Sequence, residues 1–162
     1  MPRRRPRSPL PPRVWVGWRE WVALPALGIG RIKAKVDTGA ATSALHAIHI
    51  RRFAEDGRDR VTFEVHPQQR STDITVRCVA DLLAERMVTS STGHKERRLL
   101  IRTPILVGGR RFPIELTLTN RDTMGFRMLI GRRAMKRRLL VDPSASYLAG
   151  AADSDQAVTR RP

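Results

Sequence analysis

The chain has 162 residues, the size of a single domain that can bury its own core without disulfides or metal as staples. Lysine and arginine outnumber aspartate and glutamate by 31 to 15 beside a hydrophobic fraction of 41%, a balance that excludes a disordered chain and describes a basic, folded one. No apolar run reaches the roughly twenty residues of a membrane span, and none follows the basic N-terminus as in a secretory leader, so no membrane association and a cytoplasmic location are expected.

Residues 1–13 hold five arginines and five prolines. They can neither pack a core nor hold a helix, and are expected to form a disordered basic arm. A folded domain is expected over 14–148, with strands around Val14–Trp18, Glu20–Leu24, Arg31–Val36 and Thr42–Ile50, and a turn over Pro25–Gly30. Val61, Phe63 and Val65 alternate with Thr62, Glu64 and His66, the period of a strand with one buried face. Ile74, Val76 and Cys78 repeat that pattern, which places the single cysteine in the core; with no disulfide partner in the chain, it fits a reducing compartment.

The clearest hairpin runs from Ile101 to Thr119 around Gly108-Gly109, with Pro104 and Pro113 at edge or non-bonded positions because they lack amide donors. A short helix is expected over Arg132–Arg138, and a flexible tail over 149–162. Without the tails the body keeps 24 basic and 13 acidic residues, a charge of +11. Such a surface favours acidic partners. Nucleic acid is a secondary candidate, because no aromatic-studded RNA-binding signature accompanies the charge in the sequence.

The chemistry points to one loop. Ile32, Ala34 and Val36 form an apolar-alternating strand that runs into Asp37-Thr38-Gly39-Ala40. Glycine lets the backbone turn sharply and approach another chain, and the threonine hydroxyl can bond across to a facing loop. Two carboxylates held within hydrogen-bond distance cannot both ionise, so one serves as acid while the other activates water as base. The chain has no second Asp-Thr-Gly or Asp-Ser-Gly, so such a pair requires a homodimer with its two-fold axis between the loops. The bland alternative is Asp37 as a plain turn residue. Met128, Leu129 and Ile130 then lead into Gly131-Arg132, a strand end that can pass closely behind another loop.

These two elements, in this order, resemble the retropepsin-like aspartic peptidases. Val16–Val22, Ile32–Ala40 and Thr42–His46 are similar to the bacterial members often labelled ATP-dependent zinc proteases, over about Val14–Leu148. Ala41 stands where members commonly carry a basic residue. The resemblance implies an all-β fold, a small closed β-barrel with one short C-terminal helix. It implies Asp37, Thr38 and Gly39 as the catalytic loop, Ile130, Gly131 and Arg132 as its support, and peptide binding by Ala40 and a flap over Met87–Arg97 with Ser91, Thr92 and Gly93 at its bend. Residues 51–85 read as an added hairpin.

The resemblance also implies an association with ATP-grasp ligases that add glutamate to proteins, and hence acidic or glutamate-modified protein substrates. No cofactor and no metal are expected. The chain has no His-Glu-x-x-His helix, no ligand spacing among His46, His49, His66 and His94, and no phosphate-binding glycine loop. A non-catalytic peptide-binding module of the same fold and, behind it, a zinc-dependent peptidase are the rival readings.

Overall fold

The computed structural model describes residues 10–120 and 125–150. Most of the expected arm over 1–13 and most of the expected tail over 149–162 lie outside the described residues. Eleven strands and one short helix are seen among them: β1 (Val14–Val16), β2 (Arg19–Leu24), β3 (Ile29–Val36), β4 (Ser43–His46), β5 (Ile48–Glu55), β6 (Arg58–Val65), β7 (Val76–Thr89), β8 (Lys95–Val107), β9 (Arg110–Thr119), β10 (Met128–Ile130), α1 (Arg132–Met135) and β11 (Leu139–Val141). The fold is all-β, as the alternating sequence requires.

Nine strands form one sheet in the order β2-β3-β10-β4-β9-β8-β7-β6-β5. A further pairing of Ala23 in β2 with Leu106 in β8 bends the first six into a ring. The expected closed barrel is therefore a ring-like sheet, joined at one residue pair and continued by β7, β6 and β5. The ring's interior takes the inward residues of each strand, with Leu24, Ile32, Leu45, Ile101, Ile105, Leu116, Met128 and Ile130 all essentially inaccessible. Each such side chain contributes about 2 kcal/mol by leaving water.

The Gly108-Gly109 hairpin forms as expected, with both glycines at positive φ. Pro104 and Pro113 face each other across it. Two residues without N–H groups cannot exchange ladder bonds, so this is a non-bonded pair.

Several local expectations are corrected. The strand expected over Thr42–Ile50 divides at Ala47: β4 joins the ring, whereas β5 pairs with β6, and His49 sits at φ 52 where the ladder shifts register. Ile74 lies outside β7 and is exposed, although Cys78 is buried as expected. Burial pushes the Cys78 thiol up to about 11. The helix ends at Met135 rather than Arg138, because Arg137 takes a left-handed φ of 65 and turns the chain into β11, whose parallel pairing with β1 was not anticipated. The region 51–85 is no isolated hairpin. It comprises most of β5, all of β6 and the first part of β7, whose later part belongs to the flap-like hairpin.

The end of the described chain is tied to the start of the domain. Glu20 is fully buried, and its carboxylate accepts the backbone N–H groups of Gly17 (2.7 Å), Leu148 (2.8 Å) and Ala149 (3.3 Å). A buried carboxylate requires such donors. Above it Tyr147 stacks on Trp21 with 5.7 Å between rings, and the Arg19 guanidinium packs over both Tyr147 and Trp18.

Candidate active site

The short strand β10 lies between the two strands that flank the Asp37 loop. It runs parallel to β3, matching Ile130 with Val36, and antiparallel to β4, matching Leu129 with Ala44. The chain thus leaves β3, turns through residues 37–42 and returns as β4 with β10 threaded between them. This placement follows from alternation: Met128 and Ile130 point into the ring beside Ala34 and Val36.

The loop is fixed from behind by main-chain bonds. Asp37 N–H donates to Ile130 O at 2.9 Å, Arg132 N–H to Ala40 O at 2.8 Å and Arg133 N–H to Ala41 O at 3.1 Å. The Arg132 guanidinium donates to the carbonyls of Thr38 (3.1 Å) and Gly39 (2.8 Å). The buried Gly131 N–H donates to Ser43 Oγ at 3.0 Å. Gly131 lies so close to the loop that a Cβ there would fall 2.6 Å from Thr42 C and 3.0 Å from Ala40 O.

The front of the loop is open. Asp37 is half-buried, while Thr38 and Gly39 are exposed. Gly39 N–H donates to Asp37 Oδ1 at 2.9 Å, which orients the carboxylate. Charge-assisted bonds of this kind fix a carboxylate more firmly than neutral ones.

All seven expected residues from the two motifs, Asp37, Thr38, Gly39, Ala40, Ile130, Gly131 and Arg132, therefore meet in one place. Ser91, Thr92 and Gly93 do not join them in the single chain. They lie exposed at the tip of the β7–β8 hairpin, where Ser90 Oγ meets Thr92 Oγ1 at 2.9 Å, Gly93 N–H donates to Ser90 O at 3.0 Å and Gly93 adopts φ +82.

Two features escaped the sequence. Ser43 anchors Gly131, and its only signal was a small polar residue opening a buried strand. A cavity of about 340 Å³ also opens beside the loop, lined by Thr42, by Arg86 of β7 and Arg102 of β8, by Glu115, and by Arg133 of α1. Arg86 lies 3.5 Å from Glu115, whereas neither Arg102 nor Arg133 pairs with a carboxylate among the described residues. Contributed by β7, β8 and α1, these arginines carry no sequence spacing that could mark them.

Two of the histidines make local contacts. His49 Nδ1 lies 2.8 Å from Glu64, a contact that holds the Glu64 carboxyl below its usual range, and His66 Nδ1 lies 3.2 Å from Ile74 O. Among the described residues no three of His, Cys, Asp and Glu converge on one point, and no helix is long and apolar enough to cross a membrane.

Comparison with known proteins agrees with this geometry. A crystal structure of a Legionella pneumophila protein of unknown function superposes with a TM-score of 0.70, covering 84% of this chain and 98% of that one at 23% identity, which shows the shared fold. Proteins named probable alpha-L-glutamate ligase are 50% identical over 135 residues in Shewanella pealeana and 47% identical over 144 residues in Parasynechococcus marenigrum. These matches cover 83% and 89% of this chain, which spans only 30% and 31% of the length of those relatives. Residues 15–152 match the family described as RimB-like, retropepsin-like aspartic endopeptidase RimB. With the Asp37 loop, the strand threaded behind it and this match in agreement, the chain belongs to the RimB-like family of retropepsin-like aspartic endopeptidases.

Proposed function

We propose that the chain is an aspartic endopeptidase that works as a homodimer, each subunit contributing one Asp37. The observation that carries this reading is an Asp-Thr-Gly loop braced on its inner side by Gly131 and Arg132 and exposed on its outer side. A second copy facing it across a two-fold axis brings two carboxylates together. They share one proton, because two adjacent carboxylates do not both ionise. The ionised member takes a proton from water, which attacks the peptide carbonyl carbon, and the protonated member gives its proton to the carbonyl oxygen. The tetrahedral species then collapses with proton transfer to the leaving nitrogen, and no acyl-enzyme forms. The titration belongs to the pair. Thr38 bonds across the axis, and the hairpin tip at Ser91–Gly93 closes over the peptide.

The test is dilution. Specific activity falls as the chain is diluted through its dimer dissociation constant; constant activity down to a demonstrated monomer overturns the shared-site reading.

For the substrate we propose acidic or glutamate-modified protein segments, with a functional link to glutamate ligases. The cationic cavity beside the loop supports this, as does the name of the longer relatives, probable alpha-L-glutamate ligase. Arg102 and Arg133 are placed to receive a substrate carboxylate, while Glu115 occupies Arg86. Arg102→Ala is expected to raise KM for a glutamate-rich peptide by about fivefold, the loss of one solvent-accessible charge contact, with kcat and neutral peptides unaffected. Equal loss on neutral and acidic peptides would sink the assignment.

A further inference from the structure

Arg133 lines two openings. One is the cavity beside the Asp37 loop, which it shares with Arg86 and Arg102. The other, of about 490 Å³, opens at the C-terminal end of α1 and is lined by Arg110 of β9, by Arg133, and by Lys136, Arg137 and Arg138 of the turn that follows. The two openings therefore meet at one side chain.

No acidic residue lines the second opening, and none of its five cations makes an ion pair among the described residues. Cations on the strands elsewhere are matched: Arg52 pairs with Glu85, Arg60 with Glu55 and Asp81, and Arg98 with Glu96. Five like charges around one opening repel each other, a cost that an anionic ligand relieves. Two of them are held in place by packing. The Arg138 guanidinium sits 4.6 Å from the centre of the Phe112 ring, and that of Arg110 lies 5.7 Å from it and donates to Pro12 O at 3.4 Å. The left-handed residue Arg137 shapes the turn that carries Lys136 and Arg138 to the same opening. Side chains already ordered in this way lose less entropy when they take a ligand.

We propose that the opening at the end of α1 is a second binding site for an acidic substrate, taking glutamates of a tail that lie beyond those held beside the Asp37 loop. On the peptidase reading, on which this rests, the enzyme then distinguishes long acidic tails from short ones. Continuity selects the ligand. A chain anchored at Arg102 and Arg133 has only α1 to cross, about 10 Å wide with its side chains, and an extended chain spans that in about three residues. Its carboxylates recur on one side about every 7 Å, within reach of cations that come from both β9 and the turn. Because the first contact tethers the tail, the second is intramolecular, and individually weak charge contacts add to the affinity.

The experiment is fluorescence anisotropy of labelled triglutamate and decaglutamate with the full chain carrying Asp37→Asn, so that binding is read without cleavage, in about 100 mM salt. The shorter peptide is no longer than the crossing over α1 and cannot fill both openings. It is repeated in that background with Arg110→Gln/Lys136→Gln/Arg137→Asn, where asparagine keeps the left-handed backbone accessible, and with Arg51→Gln/Arg58→Gln/Arg77→Gln, which removes the same charge from the β5–β7 surface. Melting curves report whether each variant folds. Decaglutamate is expected to bind at least about tenfold more tightly than triglutamate, and the first triple variant to abolish that advantage while leaving triglutamate affinity within about twofold. The control triple variant is expected to keep the advantage and to weaken both peptides less than about threefold. A length advantage that survives in the folded first variant overturns the proposal, as does one that the control removes equally, or decaglutamate that does not bind. A single-stranded RNA of about twenty nucleotides that loses more affinity than decaglutamate in the first variant also overturns it, by assigning the opening to phosphates. A wild-type chain that cleaves neither these peptides nor neutral ones removes the peptidase reading, whereas the length advantage and its loss in the variant stand as binding results.

Discussion

Replacing Asp37 with Asn is expected to lower kcat/KM for peptide hydrolysis by at least about a thousandfold while leaving the fold intact. The side chain is isosteric, and its Oδ1 still accepts the Gly39 N–H that orients it. What disappears is the ability of the pair to hold one negative charge and one proton. A mixture sharpens the measurement. If wild-type and variant subunits exchange freely and each dimer needs both carboxylates, activity follows the square of the wild-type fraction, so equal mixing leaves about a quarter of it. About a half remains if each chain acts alone. A linear mixing curve with proven subunit exchange would therefore remove the dimeric site.

Gly131→Ala is expected to damage both stability and catalysis. The φ of −92 at this position suits any residue, so the glycine is there for space. Its absent Cβ would meet Thr42 C at 2.6 Å, Thr42 O at 2.8 Å and Ala40 O at 3.0 Å, all of them main-chain atoms that cannot swing aside. The loop must move outward, and the bonds from Arg132 and Arg133 N–H to Ala40 and Ala41 lengthen with it. A loss of about 3 kcal/mol in urea unfolding is expected, the upper part of the range for overpacking. Activity should fall further than the folded fraction does, because the displaced loop carries Asp37. A variant as stable and as active as the parent would show that the loop is not braced in this way.

The Asp37 loop and its support were legible because each is a contiguous motif that ends a strand: alternation at Ile32, Ala34 and Val36 located one, and Met128–Ile130 before glycine the other. The ring's strands were legible for the same reason. Legibility failed where tertiary context decided the outcome. Thr42–Ile50 reads as one continuous strand, yet its two halves pair with different neighbours, β4 with β9 and β10 and β5 with β6. Residues 132–138 have helical composition, but the chain must reverse at Arg137 to lay Leu139–Val141 beside β1. The basic cavity beside the loop was hidden, since Arg86, Arg102 and Arg133 are separated in sequence and share an opening only once β7, β8 and α1 have come together. The family resemblance brought the flap hairpin into view, and its stem does pair from Leu82–Ile101 to Thr89–Lys95.

The braces of the Asp37 loop come from residues 88 to 94 positions further along the chain. Contacts of such separation form slowly, because a long loop must close before they repay its entropy. During synthesis the Asp-Thr-Gly segment leaves the ribosome long before Gly131 and Arg132 exist to hold it. The loop thus lacks its braces until the chain is nearly complete, and a nascent or truncated chain carries the motif without its support. On the proposed peptidase reading, late assembly of the site acts as a delay on proteolysis.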